Sequence, residues 1–152
     1  MVDVVDKKTR SRMMSGIRGK DTKPEIIIRK RLHASGFRYK LHDHKLPGRP
    51  DIVLPKYQAV IFVNGCFWHG HNCHLFKWPG SREEFWRKKI THTMEKDKEN
   101  IEKLLKDGWR VLQIWECAIK GKEKLPINEI IENTTVWLRS SQKSHDIRGI
   151  SS

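Results

Sequence analysis

Apolar positions along this chain switch between helical and strand spacing, and each switch marks an element. Thr22-Lys23-Pro24-Glu25 opens a helix: Thr22 can cap it, Glu25 can reach back as in a capping box, and proline is tolerated in the first turn. Ile27, Ile28, Leu32 and Phe37 supply its apolar face, and Gly36 ends it. Arg38 to His42 reads as a short strand, and Leu46-Pro47-Gly48-Arg49-Pro50 is turn chemistry. Two β-rich runs, Asp51 to Leu54 and Ala59 to Val63, flank Pro55-Lys56 and predict a hairpin at the sheet centre. Asn64 to Gly80 is irregular and dense in Cys, His, Trp and Gly. Ser81-Arg82-Glu83-Glu84 is a second capping box, opening a helix to about Asp107. Ile90, Met94, Ile101 and Leu105 form its apolar face, and Gly108 stops it. Trp109 to Trp115 reads as a buried strand and Ile127 to Leu138 as a last helix. This order predicts one mixed α/β domain over residues 21–139. Residues 1–20 carry Lys7, Lys8, Arg10, Arg12, Arg18 and Lys20 against Asp3 and Asp6, and read as a basic arm. A frayed terminus explains the same composition. From Ser140 to residue 152 the chain is polar and is expected to be a mobile tail.

Composition narrows the class. The 152 residues are 37% apolar and 32% charged, enough for one folded core. No run approaches the roughly 20 apolar residues of a membrane span. The first twelve residues lack the apolar centre of a signal peptide, so a cytoplasmic location is expected. Lysine and arginine number 31 against 18 acids, a formal charge of +13. A phosphate backbone is the commonest partner for such a surplus, although a merely soluble basic surface also fits. Three cysteines, Cys66, Cys73 and Cys117, argue against a disulfide framework in a reducing compartment and leave metal binding open.

Three groups of residues carry candidate chemistry. Cys66, His71 and Cys73 fall within eight residues, and Cys117 ends a distant strand. That set suits a tetrahedral Cys3His zinc site that would clip an irregular loop, with His69 and His74 as competing ligands. Buried, unliganded cysteines are the alternative. Asp51 opens a buried strand, where a lone carboxylate is costly unless it pairs or binds a cation. Asp51 is therefore the best magnesium candidate, against a plain turn residue after proline. Glu25 is explained by its cap alone. His69 can take a proton from water attacking phosphorus, or serve as a loop or zinc histidine. Phe67 and Trp68 stand in a glycine-flanked loop, with Trp86 in the first turn of the next helix. On a basic protein such rings can wedge between base pairs; packing around the loop is the alternative. The other tryptophans, Trp78, Trp109, Trp115 and Trp137, read as structural.

Taken together, Gly48-Arg49-Pro50-Asp51, the run from Val60 through Asn64-Gly65-Cys66-Phe67-Trp68-His69, Glu84-Phe85-Trp86, and Gly108 to Leu112 with Trp115-Glu116-Cys117 closely resemble the very short patch repair endonucleases. The resemblance runs from about Asp6 to Lys124. It implies a restriction-endonuclease-like α/β fold of the PD-(D/E)xK type, a mixed central sheet flanked by helices, with a structural zinc site. It implies a magnesium-dependent enzyme that nicks duplex DNA 5′ to the T of a T:G mismatch left by deamination of 5-methylcytosine. Asp51 would hold magnesium with the carbonyl of Val63, His69 would be the general base, and Glu25 would support the metal-water shell. Cys66, His71, Cys73 and Cys117 would hold zinc. Phe67, Trp68 and Trp86 would form the wedge, with Met14 in an arm clasping the DNA. A monomer that meets mismatch-repair proteins, associated with a bacterial nucleoid, is the further expectation.

One position departs from the family pattern. The motif usually reads His-Gly-Cys-Phe-Trp-His, and Asn64 stands first here. That histidine belongs to the family's active site, and an amide cannot accept its proton. Slower cutting is expected. The Glu-x-Lys of restriction-type nucleases is also absent, with Phe62-Val63-Asn64 in its place, as in the family. The rival readings are a zinc-stapled mismatch-binding protein without cleavage and a restriction-type endonuclease acting on matched DNA. A catalytic zinc is the weakest reading, because four protein ligands leave no open position.

Overall fold

A computed structural model of the chain describes residues 22–150. The basic arm and Met14 lie outside the described residues. Helix α1 spans Lys23–Ala34, with the Thr22 hydroxyl accepting from the Glu25 N–H at 3.4 Å and Pro24 in the first turn. Its buried residues are Glu25, Ile28 and Leu32. The spacing i, i+3, i+7 puts a carboxylate on the same face as two core side chains. Ile27, expected on that face, is 40% exposed, because it lies one residue round the helix from Ile28.

The sheet has five strands in sequential order: β1 Lys40–Leu41, β2 Ile52–Leu54, β3 Ala59–Asn64, β4 Arg110–Trp115 and β5 Ser144–Ile147. β1, β2 and β3 are antiparallel neighbours, and a 3-10 turn at Pro55–Tyr57 joins the expected hairpin. β3, β4 and β5 run parallel, which requires crossover connections. Helix α2, Glu83–Lys106, makes the first crossover. The short α3, Glu116–Ile119, and α4, Ile127–Leu138, make the second.

Alternation along the central strands builds two cores. Ile52, Leu54, Ile61, Leu112 and Ile114 join Ile28 and Leu32 of α1 and Ile130, Trp137 and Leu138 of α4. On the opposite face Val53, Val60 and Val111 join Leu104, Ile101 and Leu105 of α2. Each fully buried aliphatic side chain contributes roughly 1.5–3 kcal/mol of transfer free energy. Among the described residues no helix is long and apolar enough to cross a membrane.

Two sequence expectations need correction here. Arg82, not Ser81, is the cap of α2, and it sits in the left-handed region at φ 54 without a side-chain cap bond. The segment expected to be a mobile polar tail from Ser140 carries β5, paired with β4 from Val111↔Ser144 to Ile114↔Ile147. Its strand is polar because its side chains at 144–146 are exposed; only Ile147 is buried. An edge strand with one apolar anchor lacks the alternation that marks a strand in sequence.

Candidate active site

Three elements converge on Asp51. The turn before it is tight, with Gly48 at φ 77 and Arg49 at φ 48, and Asp51 follows immediately before β2. Its Oδ2 accepts the Val63 N–H at 2.7 Å. In an extended strand a residue's N–H and C=O face the same neighbour, so the Val63 carbonyl also faces the Asp51 side. Glu25 arrives from α1, only 1% exposed. Its Oε2 lies 2.8 Å from Arg29 Nη1 and 2.8 Å from His42 Nε2. The ligand atoms of Glu25, His42 and Asp51 all fall within 4.8 Å of one another. Burial pushes the Asp51 carboxyl up to about 7. The Val63 N–H opposes that rise, and the neighbouring Glu25 carboxylate adds to it. A buried Asp51 carboxyl raised in this way beside a second carboxylate is what a cation would relieve. His42 carried no signal in the sequence, because nothing there showed it would meet Glu25.

His69 sits in the loop after β3. Turn bonds from His69 N to Gly65 O and from Gly70 N to Phe67 O curl this loop. Gly70, at φ +63, lies so close to α2 that a Cβ there would stand 2.5 Å from Met94 Sδ. A side chain there would be strained by the positive φ and would displace the Met94 thioether, so glycine is favoured. His69 Nδ1 is 2.5 Å from Asp97 Oδ2 in the middle of α2. An ionised carboxylate can only accept, so Nδ1 carries the hydrogen and Nε2 is left to accept. His69 thus pairs with α2 and not with the Asp51 group. Sequence reading missed Asp97, yet a signal existed. Ile90, Met94, Asp97 and Ile101 follow helical spacing, so an acid interrupts an apolar stripe.

Cys66, His71, Cys73 and Cys117 form a second cluster, with all ligand atoms within 4.8 Å of one another. Cys66 and Cys117 are fully buried and His71 is 4% exposed. His71 Nδ1 lies 3.5 Å from Cys66 Sγ and 3.6 Å from Cys117 Sγ. Its ring stacks on Trp115 at 4.1 Å and 11°. The histidine in the cluster is therefore His71; His74 Nδ1 instead pairs with Glu123 at 3.2 Å. Burial, with Cys73 and Cys117 adjacent, pushes the Cys66 thiol up. Burial beside Arg148 lowers His71 to about 4. A tetrahedral zinc with bonds of about 2.3 Å separates its sulfurs by about 3.8 Å, so three sulfurs and one nitrogen at these spacings fit such an ion. β5 delivers two unexpected neighbours: Arg148, against His71 Nε2, and the Gly149 N–H, which donates to Cys117 Sγ at 3.3 Å.

Phe67, Trp68 and Trp86 meet as one aromatic group, with ring centroids 5.2 to 5.7 Å apart. Phe76 stacks on Phe67 and leads to Trp78. Trp78, read from sequence as structural, is 37% exposed, with the Arg87 guanidinium 4.3 Å above it. Asn64, the last residue of β3, is 5% exposed. Its Nδ2 donates to Gln113 Oε1 at 3.0 Å, and Gln113 Nε2 donates to Asp146 Oδ1 at 3.3 Å. Three parallel strands are thereby linked through side chains.

The sequence is similar to known proteins over most of its length. The family model described as DNA mismatch endonuclease Vsr matches residues 2–75. The DNA mismatch endonuclease Vsr of Escherichia coli (strain K12) is 46% identical over 138 residues, spanning 91% of this chain and 88% of the relative. The Type II nicking enzyme V.NmeAIP of Neisseria meningitidis is 45% identical, spanning 80% of this chain and 87% of its own. The Type II nicking enzyme V.XorIIP of Xanthomonas oryzae pv. oryzae is 41% identical over 78% and 88%. These relatives are endonucleases by name, and with such identity over most of both lengths the chain belongs to the Vsr family of DNA mismatch endonucleases.

Proposed function

We propose that this endonuclease nicks duplex DNA 5′ to the T of a T:G mismatch by magnesium-dependent hydrolysis, on a fold of the PD-(D/E)xK type. The carrying observation is the pairing of a carboxylate group, Asp51 with Glu25, with a separately oriented base, His69 on Asp97. Asp51 and the Val63 carbonyl hold the cation. When bound, magnesium supplies polarisation of the scissile phosphate and stabilisation of the leaving oxygen. His69 Nε2 accepts the proton of the attacking water. Asp97 fixes the ring and favours the imidazolium that results. Glu25 accepts hydrogen bonds within the water shell of the site.

Cys66, His71, Cys73 and Cys117 hold zinc, which fixes the loop carrying Phe67, Trp68 and His69. Phe67, Trp68 and Trp86 enter the stack beside the mismatch, where a wobble pair costs less to distort than a correct one. The basic residues of the arm over 1–20, with Met14 within it, clasp phosphates from the other side. The working unit is a monomer on nucleoid DNA, with mismatch-repair proteins as further partners.

Asn64 favours a second reading, binding without cutting, because its amide is turned to Gln113 and cannot take a proton. One experiment separates the readings. A labelled T:G duplex is incubated with protein and magnesium, beside a matched duplex and an EDTA control. Nicking of the T:G strand alone, lost in EDTA, is the expected result. Retarded but uncut duplex establishes the binding protein instead. Equal nicking of matched DNA establishes the restriction-type activity.

A further inference from the structure

The Asp51 group contains one side chain to which the proposed reaction gives no role. His42 follows β1 directly and adopts a left-handed backbone, φ 49. Few non-glycine residues do so, though histidine is enriched there. Two bonds hold it. Its N–H donates to the Asp51 carbonyl at 3.1 Å, adding one step to the β1–β2 ladder beyond Leu41↔Ile52. Its Nε2 meets Glu25 Oε2 at 2.8 Å. The side chain is 14% exposed, against 1% for Glu25, so bulk water competes little for either.

The spacing fits a cation. An octahedral ion with bonds of about 2.1 Å needs donors about 3 Å apart in cis and about 4.2 Å apart in trans. The donor atoms of Glu25, His42 and Asp51 all lie within 4.8 Å of one another, so His42 can reach the same ion as Asp51. Arg29 also reaches Glu25 Oε2, at 2.8 Å, and steadies that carboxylate from the next turn of α1.

We propose that His42 joins Asp51 as a second side-chain ligand of the active-site cation, with Glu25 at its water shell, and that this nitrogen donor makes the site that takes Mg2+ bind Mn2+ more tightly. The proposal rests on the assignment of Asp51 as a cation ligand. Magnesium favours oxygen donors and gives up water reluctantly, whereas an imidazole suits first-row transition metals. On binding, Nε2 exchanges its hydrogen bond to Glu25 for the metal, and the ring carries its proton on Nδ1.

The test uses the full chain with its zinc in place, titrated with Mn2+ alone. Free Mn2+ is read by electron paramagnetic resonance, Mg2+ affinity by competition, and the His42 ring signals by NMR. Wild type should bind Mn2+ about tenfold or more tighter than Mg2+, and His42→Ala should lose most of that preference. Substoichiometric Mn2+ should broaden the His42 ring signals in the unaltered chain, a readout that needs no variant. Unbroadened His42 signals, or unchanged Mn2+ affinity in His42→Ala, overturn the proposal. Asp51→Asn separates the two assignments. If it too leaves Mn2+ affinity unchanged, the Asp51 site itself is wrong; if it alone abolishes binding, only the role of His42 fails.

Discussion

His69 Nδ1 and Asp97 Oδ2 stand 2.5 Å apart, joining the loop after β3 to the middle of α2. In the proposed reaction the pair is one catalytic unit built from two elements, so its members should not act additively. General-base residues contribute about 10²–10⁴-fold. Asp97→Asn should lower the single-turnover nicking rate by about 10–100-fold with little change in DNA affinity, since the amide no longer fixes the ring or balances the imidazolium. His69→Ala should lose more. The double variant should be no slower than His69→Ala alone; a multiplicative loss would show the two acting separately.

How much of this was legible depends on where each signal lies. The α1 cap, the β2–β3 hairpin and α2 are local patterns of period and spacing, and the structure has them close to where the sequence placed them. Cys66, His71 and Cys73 are a local set too, but spacing left His69 and His74 open beside His71, and the full set with Cys117 came with the family resemblance; the structure brings Cys66, His71, Cys73 and Cys117 together. What the sequence hid is contact between distant residues. His42 meets Glu25 from 17 positions away, and Arg148 meets His71 from 77. β5 was hidden because a polar edge strand with Ile147 as its one buried residue has no period to read. Asp97 was half visible, an acid inside an apolar stripe, but on a helix rich in Glu and Lys it passed for a solvated face.

The cysteine cluster predicts a large metal dependence. Ligand thiols must lose their protons to bind a cation, and burial holds the Cys66 proton tightly in its absence. Zinc loading should therefore release protons and should weaken steeply as pH falls. Cys73→Ser or exhaustive chelation should lower the melting temperature by about 10 °C, the equivalent of about 3 kcal/mol in a chain this long. His74→Ala should retain one zinc per chain by atomic absorption. Loss of zinc in His74→Ala would contradict the choice of His71.

Asp51 predicts how stability varies with pH. Its carboxyl titrates near 7 in the folded, cation-free chain against an ordinary value of 3.8. A raised acid pKa means the folded state holds that proton more tightly than the unfolded one. The resulting penalty is absent below about pH 4, grows through pH 7 and is complete above it. Asp51→Asn should remove it. Without divalent cation, the variant should be more stable than wild type at pH 8 by about 2–4 kcal/mol, with no difference near pH 4. Denaturant melts at the two pH values measure this directly, and equal stability at pH 8 would contradict the upward shift of the buried Asp51 carboxyl.

The aromatic group predicts a loss confined to binding. Phe67 and Trp86 have ring centroids 5.5 Å apart, so each supports the other. Stacking of a base on an aromatic ring contributes about 1–3 kcal/mol. Trp86→Ala and Phe67→Ala should each weaken T:G duplex binding by about 5–150-fold. The pair should lose less than the product of the two. Matched duplex, bound through phosphates, should be affected little in a salt-controlled binding assay.

Asn64 offers the sharpest test of whether the site is intact. It is 5% exposed and donates to Gln113, which donates in turn to Asp146 of β5. A histidine in its place can accept a proton and carry charge near pH 7, and its ring nitrogen can keep the bond to Gln113 Oε1. Asn64→His should raise the nicking rate by about tenfold or more, within the range a proton-transfer group supplies. Mismatch affinity should not change, because Asn64 lies outside the aromatic group. Asn64→Ala should leave the nicking rate unaltered but lower stability by about 1 kcal/mol, since the half-buried Gln113 oxygen loses its donor. A faster Asn64→His enzyme would mean the remaining machinery is complete. An unchanged rate would mean that proton transfer at this position does not limit the reaction.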